Sequence, residues 1–559
     1  MQLVINGASK RYRSKECIPE SLIGRPTSLA IFKTIILSMV LFTAAACSEQ
    51  ATPAPGVALA PAAVQPESPL YWPTEAWRTS TPAEQGMDAE KLNQMMAFVA
   101  EHDIAIDSVV VVRNGYIVFE AYRNGYDQHS KHHIQSVTKS FTSMLIGVAL
   151  QQGLIQDVSQ RMVDFFPNLT IANMDARKRR ITLEHLLTMS DGLDWHELDY
   201  PYADPRNTLG QMWASRDAVQ HVLDRPMARE PGAAWAYNSG TSILLGGIIE
   251  QVTGRDVLAF AREVLFEPIG IKNVSWSMTT GNHYHTDGGL YLTPRDMARL
   301  GYLMLNDGTW DGKEIVSSAW VARSSTAHYQ TSGGYGYGYQ WWTLPGAGVY
   351  AATGHYEQKL YVAPEQDLVA VFTANIADQD PHPMDGMLYR FILAACTDLP
   401  AGAMVERYAA HGFTFDYPLG GRMWEMPFPG RDVLSDTSGM LQFTFDLYPL
   451  EIINVSWDTP EGDVELKTYL DGIFAAALQQ PESEVALGES LTSSRDGHAM
   501  IVQFYHTLQQ GIRLSGVIGV WYCDRAGRVY GFNYATHPET ASQELLTTFQ
   551  QYLASFACH

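Results

Sequence analysis

Apolar and polar positions predict strands near both ends of one long region of the chain. Residues 107–122 read DSVVVVRNGYIVFEAY, in which two β-rich runs flank Arg113-Asn114-Gly115. Asn-Gly between such runs is a strong signal for a tight hairpin turn. A second strand-rich region extends from Tyr335 to Asn375 and ends in LYVAPEQDLVAVFTAN. We expect both regions to contribute strands to one sheet.

Between these regions, apolar residues recur at helical spacing. The predicted helices are Phe141–Gln152, Leu183–Met189, Ile243–Val252 and Pro294–Leu305. The last of them follows Thr293, so an N-cap residue precedes proline at the first helical position. Strands at both ends with helices between them predict an α/β fold of the α+β type. Its sheet takes strands from both ends of the region, helices pack on it, and others form a second lobe.

The pattern changes from about Gly412. Short strand-like runs recur, among them LQFTFDL, EIINVSW and GVIGVWYC, and helices are predicted at Glu465–Ala477 and Glu544–Phe556. This predicts a separate C-terminal α+β domain over residues 401–559. The pattern resembles the small α+β accessory modules of photosystem oxygen-evolving complexes, and that resemblance implies that the domain binds a partner.

An apolar run at the beginning of the chain, residues 35–46, ends directly before Cys47. The run is shorter than the roughly 20 residues that cross a bilayer, and its length fits the apolar part of a signal peptide. Small residues before a cysteine resemble a bacterial lipobox, so residues 1–47 are predicted to be a leader with lipidation at Cys47. Ala44 replaces the usual leucine, so plain cleavage after a small residue and an uncleaved anchor stay open.

Residues 48–71 are rich in Ala, Pro, Gln and Ser and predict a tether. Leader and tether predict export from a bacterial cell, with a lipid anchor in the periplasm or outer membrane, or else a periplasmic or secreted protein. The chain has 38 Lys and Arg against 60 Asp and Glu, a net charge of −22. Such an acidic surface repels phosphate, which argues against a nucleic-acid partner and leaves the N-terminal lipid as the membrane tie.

The five cysteines include no CxxC pair, which argues against a disulfide-dense scaffold and a thiolate zinc site. No metal or other cofactor is predicted. Cys523 and Cys558 are candidates for a disulfide in an oxidising compartment. Two buried thiols are the alternative, because spacing does not show whether the Cα atoms come within bridging distance.

A candidate nucleophile, Ser136, opens the first apolar helix with Lys139 three residues later. Ser-x-x-Lys places both side chains on one helix face, and the helix dipole stabilises an anion that develops at its N-terminus. A partly buried lysine has a lowered proton affinity and can take the serine proton. Taken alone, the motif is a weak signal, and a helix cap followed by a solvated lysine is its more common interpretation.

Two further segments support the catalytic interpretation. Tyr237 lies in PGAAWAYNSG, just before an apolar helix, where its hydroxyl can act as a general base if a cation such as Lys139 lowers its pKa. Gly354, in ATGHYEQ directly before a strand, allows close backbone approach, and a strand-edge N–H can face an oxyanion. A core aromatic and an ordinary loop are the alternatives.

With these three motifs in order, the chain resembles serine hydrolases of the class C β-lactamase-related family, in particular its esterases and nylon-oligomer hydrolases. The resemblance extends from Trp72 to Cys396 and includes the non-catalytic segments Ile181–Trp195 and Leu292–Val321. It implies a β-lactamase/transpeptidase-like antiparallel sheet flanked by helices, with a helical lobe, over residues 72–400.

The resemblance also implies roles for individual residues. Ser136 matches the acylated nucleophile, Lys139 its activating base and Tyr237 the tyrosine of the second motif. The backbone N–H groups of Ser136 and His355 match the oxyanion hole. Ser239 stands where β-lactamases have an asparagine that contacts the substrate amide.

Departures from the β-lactamase pattern bear on the substrate. The third motif reads Ala352-Thr353-Gly354, so the cation that grips a lactam carboxylate is missing. Ser239 and Gly354 are assigned to substrate binding. The pocket walls are predicted to include Trp195, Glu197 and Tyr200 on one side, and Trp341, Trp342 and His355 on the other. Because alternate strand residues face opposite sides, one of the two adjacent tryptophans is expected to belong to the core.

The sequence therefore predicts a serine hydrolase that cleaves a small ester, amide or short peptide through an acyl-enzyme on Ser136. Two alternatives stay open. One is a penicillin-recognising D-amino-acid peptidase or β-lactamase that acts on cell-wall peptide. The other is a non-catalytic binding protein on the same fold, which would have no chemical need to keep Ser136, Lys139 and Tyr237 together.

Overall fold

The computed structural model describes residues 71–558, with gaps at 332–333, 345–347, 377–382, 400–403, 428–433, 446–449, 461, 463–464, 479–482, 510–511 and 538–539. The predicted leader, most of the tether and Cys47 lie outside the described residues. The predicted boundary between residues 400 and 401 falls in one of the gaps. Within the described ranges, no helix is both long and apolar enough to cross a membrane.

The first described region, up to residue 399, contains thirteen strands and ten α-helices. The strands are β1 (Ile106–Arg113), β2 (Tyr116–Tyr122), β3 (His132–His133), β4 (Ser275–Trp276), β5 (Leu290–Leu292), β6 (Thr309–Trp310), β7 (Lys313–Glu314), β8 (Tyr329–Gln330), β9 (Gly336–Tyr337), β10 (Trp342–Thr343), β11 (Tyr350–Gly354), β12 (Gln358–Ala363) and β13 (Leu368–Ala374). The helices are α1 (Ala89–Glu101), α2 (Thr138–Gln151), α3 (Leu183–Leu187), α4 (Thr208–Trp213), α5 (Ala218–Leu223), α6 (Ser239–Thr253), α7 (Val257–Ala261), α8 (Pro294–Leu305), α9 (Ser318–Ser325) and α10 (Pro383–Met387).

Eight of these strands form an antiparallel sheet in the order β2-β1-β13-β12-β11-β10-β9-β8. The first hairpin turns at Asn114 and Gly115, whose φ angles of 51° and 79° are the left-handed pair that a tight hairpin requires. Strand β13, from the end of the region, pairs with β1 from its beginning. The prediction of one sheet built from both ends is confirmed.

Helices cover both faces of this sheet, so every residue of β1 is buried. Val110 and Val112 belong to the larger core cluster with helices α2, α6 and α8. Val109 and Val111 point the other way and pack in a second cluster with α1 and the segment after α10. Helices α3 to α7, with the loops between them, make up the helical lobe beside α2.

The helix predictions are correct in position and differ at the ends. The Pro294–Leu305 helix is confirmed residue for residue, with the Thr293 side chain accepting a hydrogen bond from the Asp296 amide. Helix α6 begins four residues before the predicted Ile243, since Asn238 caps it and the small residues that follow are buried. Helix α2 begins at Thr138 and is preceded by the 3-10 turn Gln135–Val137.

The C-terminal region is a second sheet-rich body, as predicted. Its strands are β14 (Val405–Ala410), β15 (Phe413–Pro418), β16 (Arg422–Met426), β17 (Ser438–Phe445), β18 (Leu450–Asp458), β19 (Ser483–Arg495), β20 (His498–Gln509), β21 (Ile512–Cys523), β22 (Arg528–His537) and β23 (Ala557–Cys558), and its helices are α11 (Leu466–Leu478) and α12 (Ser542–Leu553). Seven strands form one antiparallel sheet in the order β16-β17-β18-β22-β21-β20-β19. Helix α12 packs on one face and α11 on the other.

The last strand is tied to this sheet by a disulfide bond between Cys523 and Cys558, the pair that the sequence made candidates. The two residues lie 35 positions apart, at the end of β21 and in β23. Leu419, just after β15, is buried in the core cluster of the first region, and Gly420 lies directly against the Tyr389 ring. The two bodies therefore share apolar contacts next to the gap at 400–403.

Candidate active site

The site is built around Ser136, in the tight turn that leads into α2. The residue before it, Gln135, has a φ of 51°. This left-handed conformation costs a non-glycine residue about 1 kcal/mol or more, and such strain concentrates at functional sites. The turn leaves the Ser136 side chain partly exposed, whereas α2 itself is almost wholly buried.

Lys139 approaches Ser136 from the first turn of α2. Its Nζ lies 2.8 Å from the Ser136 Oγ and 2.5 Å from the Asp287 carbonyl oxygen. The side chain is buried, at 2% exposed. Burial lowers the pKa of Lys139, while the carboxylates of Glu197 and Asp287 oppose that shift. The alternative of a solvated lysine after a helix cap does not fit this position.

The loop that carries Asp287 is held against two helices. Thr286 donates its hydroxyl to the Ser242 carbonyl of α6 at 2.8 Å, and its own carbonyl accepts from Thr142 of α2 at 3.0 Å. A Cβ at Gly246 would lie 2.5 Å from the Thr286 Oγ1. The small residue in α6 thus lets the loop approach closely enough for Asp287 to anchor Lys139.

Tyr237 precedes α6, close enough to Ser136 and Ser239 for their hydroxyls to lower its pKa. The Lys139 Nζ lies 5.3 Å from the centre of its ring. Burial and the Glu197 carboxylate raise the pKa of Tyr237 above its usual range, so its phenol stays protonated. This differs from the expectation that Lys139 would lower that pKa, because burial has the largest effect on it.

Glu197 is a buried carboxylate behind Ser239. It accepts hydrogen bonds from the Ser239 amide at 2.8 Å, from the Ser239 hydroxyl at 2.7 Å and from the Trp195 indole at 2.9 Å. Burial raises its pKa, and Lys139 opposes the shift. Trp195 and Glu197 are only 7% and 3% exposed. They therefore support Ser239 from within and do not form the open pocket wall that the sequence suggested.

In the other predicted wall, the two adjacent tryptophans face opposite sides, as alternation along a strand requires. Trp341 is fully buried in the core. Trp342 is half-buried and its ring lies 6.0 Å from that of Tyr237, nearly parallel to it. Tyr200 contacts His196 and Arg206 in the loop before α4. Of these side chains, Trp342 is the one placed beside a catalytic candidate.

The end of β11 lies against the nucleophile turn. A Cβ at Gly354 would fall 2.6 Å from the Ile134 carbonyl and 3.1 Å from the Ser136 amide nitrogen. Gly354 thus brings the end of β11 against the Ser136 amide, and the predicted second oxyanion donor, the His355 N–H, belongs to the next residue. Ala352, two residues earlier, is buried and offers no cation.

The sequence did not single out Asp287, His285, Trp213 and Tyr202, which surround the same site. The Trp213 indole donates to the Asp287 carboxylate at 3.2 Å, and His285 Nδ1 lies 3.2 Å from the other carboxylate oxygen. Although burial disfavours ionisation, His285 and Lys139 hold the pKa of Asp287 below its usual range. The one sequence signal for these residues was Asp-Gly-Gly at positions 287–289, a turn pattern that often marks a backbone packed closely against another segment.

Across the described part of the chain, no group of three or more His, Cys, Asp and Glu side chains is arranged to hold a metal ion. The chemistry available at this site is that of a hydroxyl, an amine, a phenol and backbone amides. These are the components of nucleophilic and general acid–base catalysis.

A helix-covered antiparallel sheet with a Ser-x-x-Lys pair at one face defines the β-lactamase/transpeptidase-like class of hydrolases. The sequence model of the family described as Beta-lactamase matches residues 89–394, more than half of the chain. The chain belongs to the β-lactamase family.

Individual relatives share part of the chain. The 6-aminohexanoate-dimer hydrolase of Paenarthrobacter ureafaciens is 25% identical over 346 residues, which cover 58% of this chain and 86% of that enzyme. The lovastatin esterase of Penicillium rubens is 29% identical over 141 residues, or 24% of this chain and 33% of the esterase. The solved structure of a penicillin-binding protein homologue from Pyrococcus abyssi aligns with a TM-score of 0.44 at 16% identity, covering 80% of this chain and all of that one.

Proposed function

We propose that this protein is a serine hydrolase that cleaves a small ester or amide through an acyl-enzyme on Ser136. One observation carries the proposal: the buried Lys139 amine lies 2.8 Å from the Ser136 Oγ in a partly exposed turn. The relatives named as a lovastatin esterase and a 6-aminohexanoate-dimer hydrolase support a substrate of this class.

Lys139 is the base in this mechanism. Because burial lowers its pKa, the neutral amine is more accessible near neutral pH than in a solvated lysine. The Ser136 Oγ forms a bond to the substrate carbonyl carbon as its proton moves to Nζ. The Asp287 carbonyl keeps the amine aimed at Ser136 throughout.

The developing oxyanion is received by the backbone N–H groups of Ser136 and His355. When the tetrahedral intermediate collapses, the leaving oxygen or nitrogen takes a proton from Tyr237, whose phenol is re-protonated from Lys139. Water then attacks the acyl carbonyl carbon, and its proton passes through Tyr237 to Lys139. Lys139 returns a proton to the Ser136 Oγ as the acid is released, which restores Ser136. A protonated tyrosine, which its raised pKa favours, suits this donor role.

Two features favour esters and short amides over β-lactams. Ala352 provides a methyl group where a lactam carboxylate needs a cation, and the Ser239 hydroxyl is engaged by Glu197 at 2.7 Å. Wild-type protein is therefore expected to hydrolyse short 4-nitrophenyl esters faster than a chromogenic cephalosporin or a D-Ala-D-Ala peptide. Faster cephalosporin turnover would overturn the preference, and no turnover of any ester or amide would overturn the function.

Tyr237→Phe is expected to lower kcat by about a hundredfold, the range of one acid–base group, with a smaller change in KM. The ring would still stack on Trp342, so the loss would belong to the hydroxyl. Steady-state kinetics on a short 4-nitrophenyl ester measure both constants. A kcat close to that of wild type would assign the whole proton transfer to Lys139.

Glu197→Gln is expected to move the rising limb of the pH profile to lower pH. The rate rises as Lys139 loses its proton, and the Glu197 charge raises the pKa of Lys139. Removing the charge therefore lowers that pKa, and the amine becomes neutral at lower pH. The profile of kcat/KM against pH measures the shift.

Glu250→Gln is the matched control, since this carboxylate lies near the other end of α6 and binds His283 at 2.7 Å. Its profile should coincide with that of wild type. If the rising limb of the Glu197→Gln pH profile stays in place or moves to higher pH, Lys139 is not the titrating base.

A further inference from the structure

Two large aromatic side chains lie exposed side by side near the active site. Tyr202 is 39% exposed and Trp213, the last residue of α4, is 45% exposed. Their ring centroids are 6.4 Å apart with an interplanar angle of 26°. Contiguous exposed apolar surface marks binding sites, whereas single exposed apolar residues need no explanation. We call this pair the aromatic platform.

One side of the aromatic platform touches His355, the residue after the end of β11. The Tyr202 ring meets the His355 imidazole edge to face, with centroids 5.2 Å apart. His355 directly follows Gly354, whose backbone lies against the Ser136 amide. A group resting on Tyr202 would therefore be next to the carbonyl that the oxyanion hole receives.

The other side of the aromatic platform is connected to Lys139 through hydrogen bonds of Asp287. The Trp213 indole donates to the Asp287 carboxylate at 3.2 Å, and the Asp287 carbonyl accepts from Lys139 at 2.5 Å. The His285 ring meets Trp213 at 84°, with centroids 6.3 Å apart. The indole is thus fixed in orientation while nearly half of its surface stays open.

We propose that the aromatic platform binds an uncharged aromatic or conjugated group of the substrate, which makes aryl or arylalkyl esters the preferred substrate class. The inference rests on the proposed function of the site. Flat apolar groups stack on aromatic faces with favourable dispersion and little loss of side-chain entropy. The ionised Asp287 behind the indole disfavours a substrate carboxylate at this position.

The kinetic test compares selectivity within two pairs of esters. The first pair, 4-nitrophenyl 3-phenylpropanoate and 4-nitrophenyl acetate, varies the acyl side. The second, 2-naphthyl acetate and ethyl acetate, varies the alcohol side. Trp213→Ala is expected to reduce the preference for the aromatic member about tenfold in at least one pair. Equal ratios of kcat/KM for wild type and variant in both pairs would overturn the proposal.

Two more variants separate stacking from other effects. Trp213→Phe keeps an aromatic face but loses the hydrogen bond to Asp287, so it should retain most of the selectivity. Leu198→Ala removes an apolar side chain that is 56% exposed in the same segment, and it should leave both ratios unchanged. A loss of selectivity in Leu198→Ala equal to that in Trp213→Ala would contradict the assignment to the aromatic platform.

A binding measurement keeps this test independent of turnover. Calorimetric titration of 2-naphthyl acetate into the Ser136→Ala protein should show saturable binding, about tenfold weaker when Trp213→Ala is added. Equal affinity with and without Trp213→Ala would overturn the aromatic platform even if the wild type is an esterase. Weaker binding with Trp213→Ala, in a protein whose wild type hydrolyses no ester or amide, would support the platform and overturn the proposed function alone.

Discussion

Ser136→Ala is expected to lower ester hydrolysis by roughly a thousandfold or more, because the acyl-enzyme has no other hydroxyl on which to form. The variant should also no longer react with a fluorophosphonate probe, which phosphonylates activated serines. Lys139 keeps its second contact, to the Asp287 carbonyl. The fold should therefore survive, which circular dichroism and the melting temperature would show.

Ser143→Ala is the matched control. This serine lies in α2 two turns beyond the nucleophile, is fully buried, and has no hydrogen-bond partner among the described residues for its hydroxyl. Its loss should leave probe labelling and hydrolysis at wild-type levels. Full labelling of Ser136→Ala, or equal loss of labelling in both variants, would show that Ser136 is not the nucleophile.

Local signals explain why much of the fold was predictable. Asn114-Gly115 allows the left-handed turn that joins β1 and β2, and Thr293-Pro294 sets the first turn of α8. Both signals act within a few residues and depend little on the rest of the chain. The start of α6 was misjudged because residues 239–242 are polar or small by type, whereas the structure buries all four.

The catalytic pair was predictable for the same reason, since Ser136 and Lys139 are three residues apart on one helical turn. The second partner of Lys139 was not predictable. It is a backbone carbonyl 148 positions away, and every residue type carries that group. The packing of Thr286 between α2 and α6 helps to bring the Asp287 carbonyl to the amine.

Glu197 shows a different limit of sequence reasoning. A glutamate two residues after a tryptophan in a loop fits an exposed pocket wall as well as a buried support. The decisive contacts are with Ser239, 42 positions later, whose amide and hydroxyl both donate to the carboxylate. Such a pairing depends on where α6 meets the loop, so residue type and spacing did not reveal it.

Gly354→Ala is expected to lower kcat by between about a hundred- and a thousandfold, the cost of losing one oxyanion donor. The φ of Gly354 is −137°, which any residue adopts, so the requirement for glycine at this position is space. A Cβ there would lie 2.6 Å from the Ile134 carbonyl and 3.1 Å from the Ser136 amide. Strand β11 must then move away from the nucleophile turn, and the His355 N–H moves with it.

Gly288→Ala separates this effect from a general disturbance of the turn. A Cβ at Gly288 would also face Gln135, but at 3.8 Å, an ordinary contact. This variant should keep most of the wild-type kcat. In Gly354→Ala, labelling of Ser136 by the probe should slow along with kcat, because the probe's phosphoryl oxygen occupies the same hole. If kcat falls equally in both glycine variants, or if Gly354→Ala retains full activity, the oxyanion hole does not lie between Ser136 and His355.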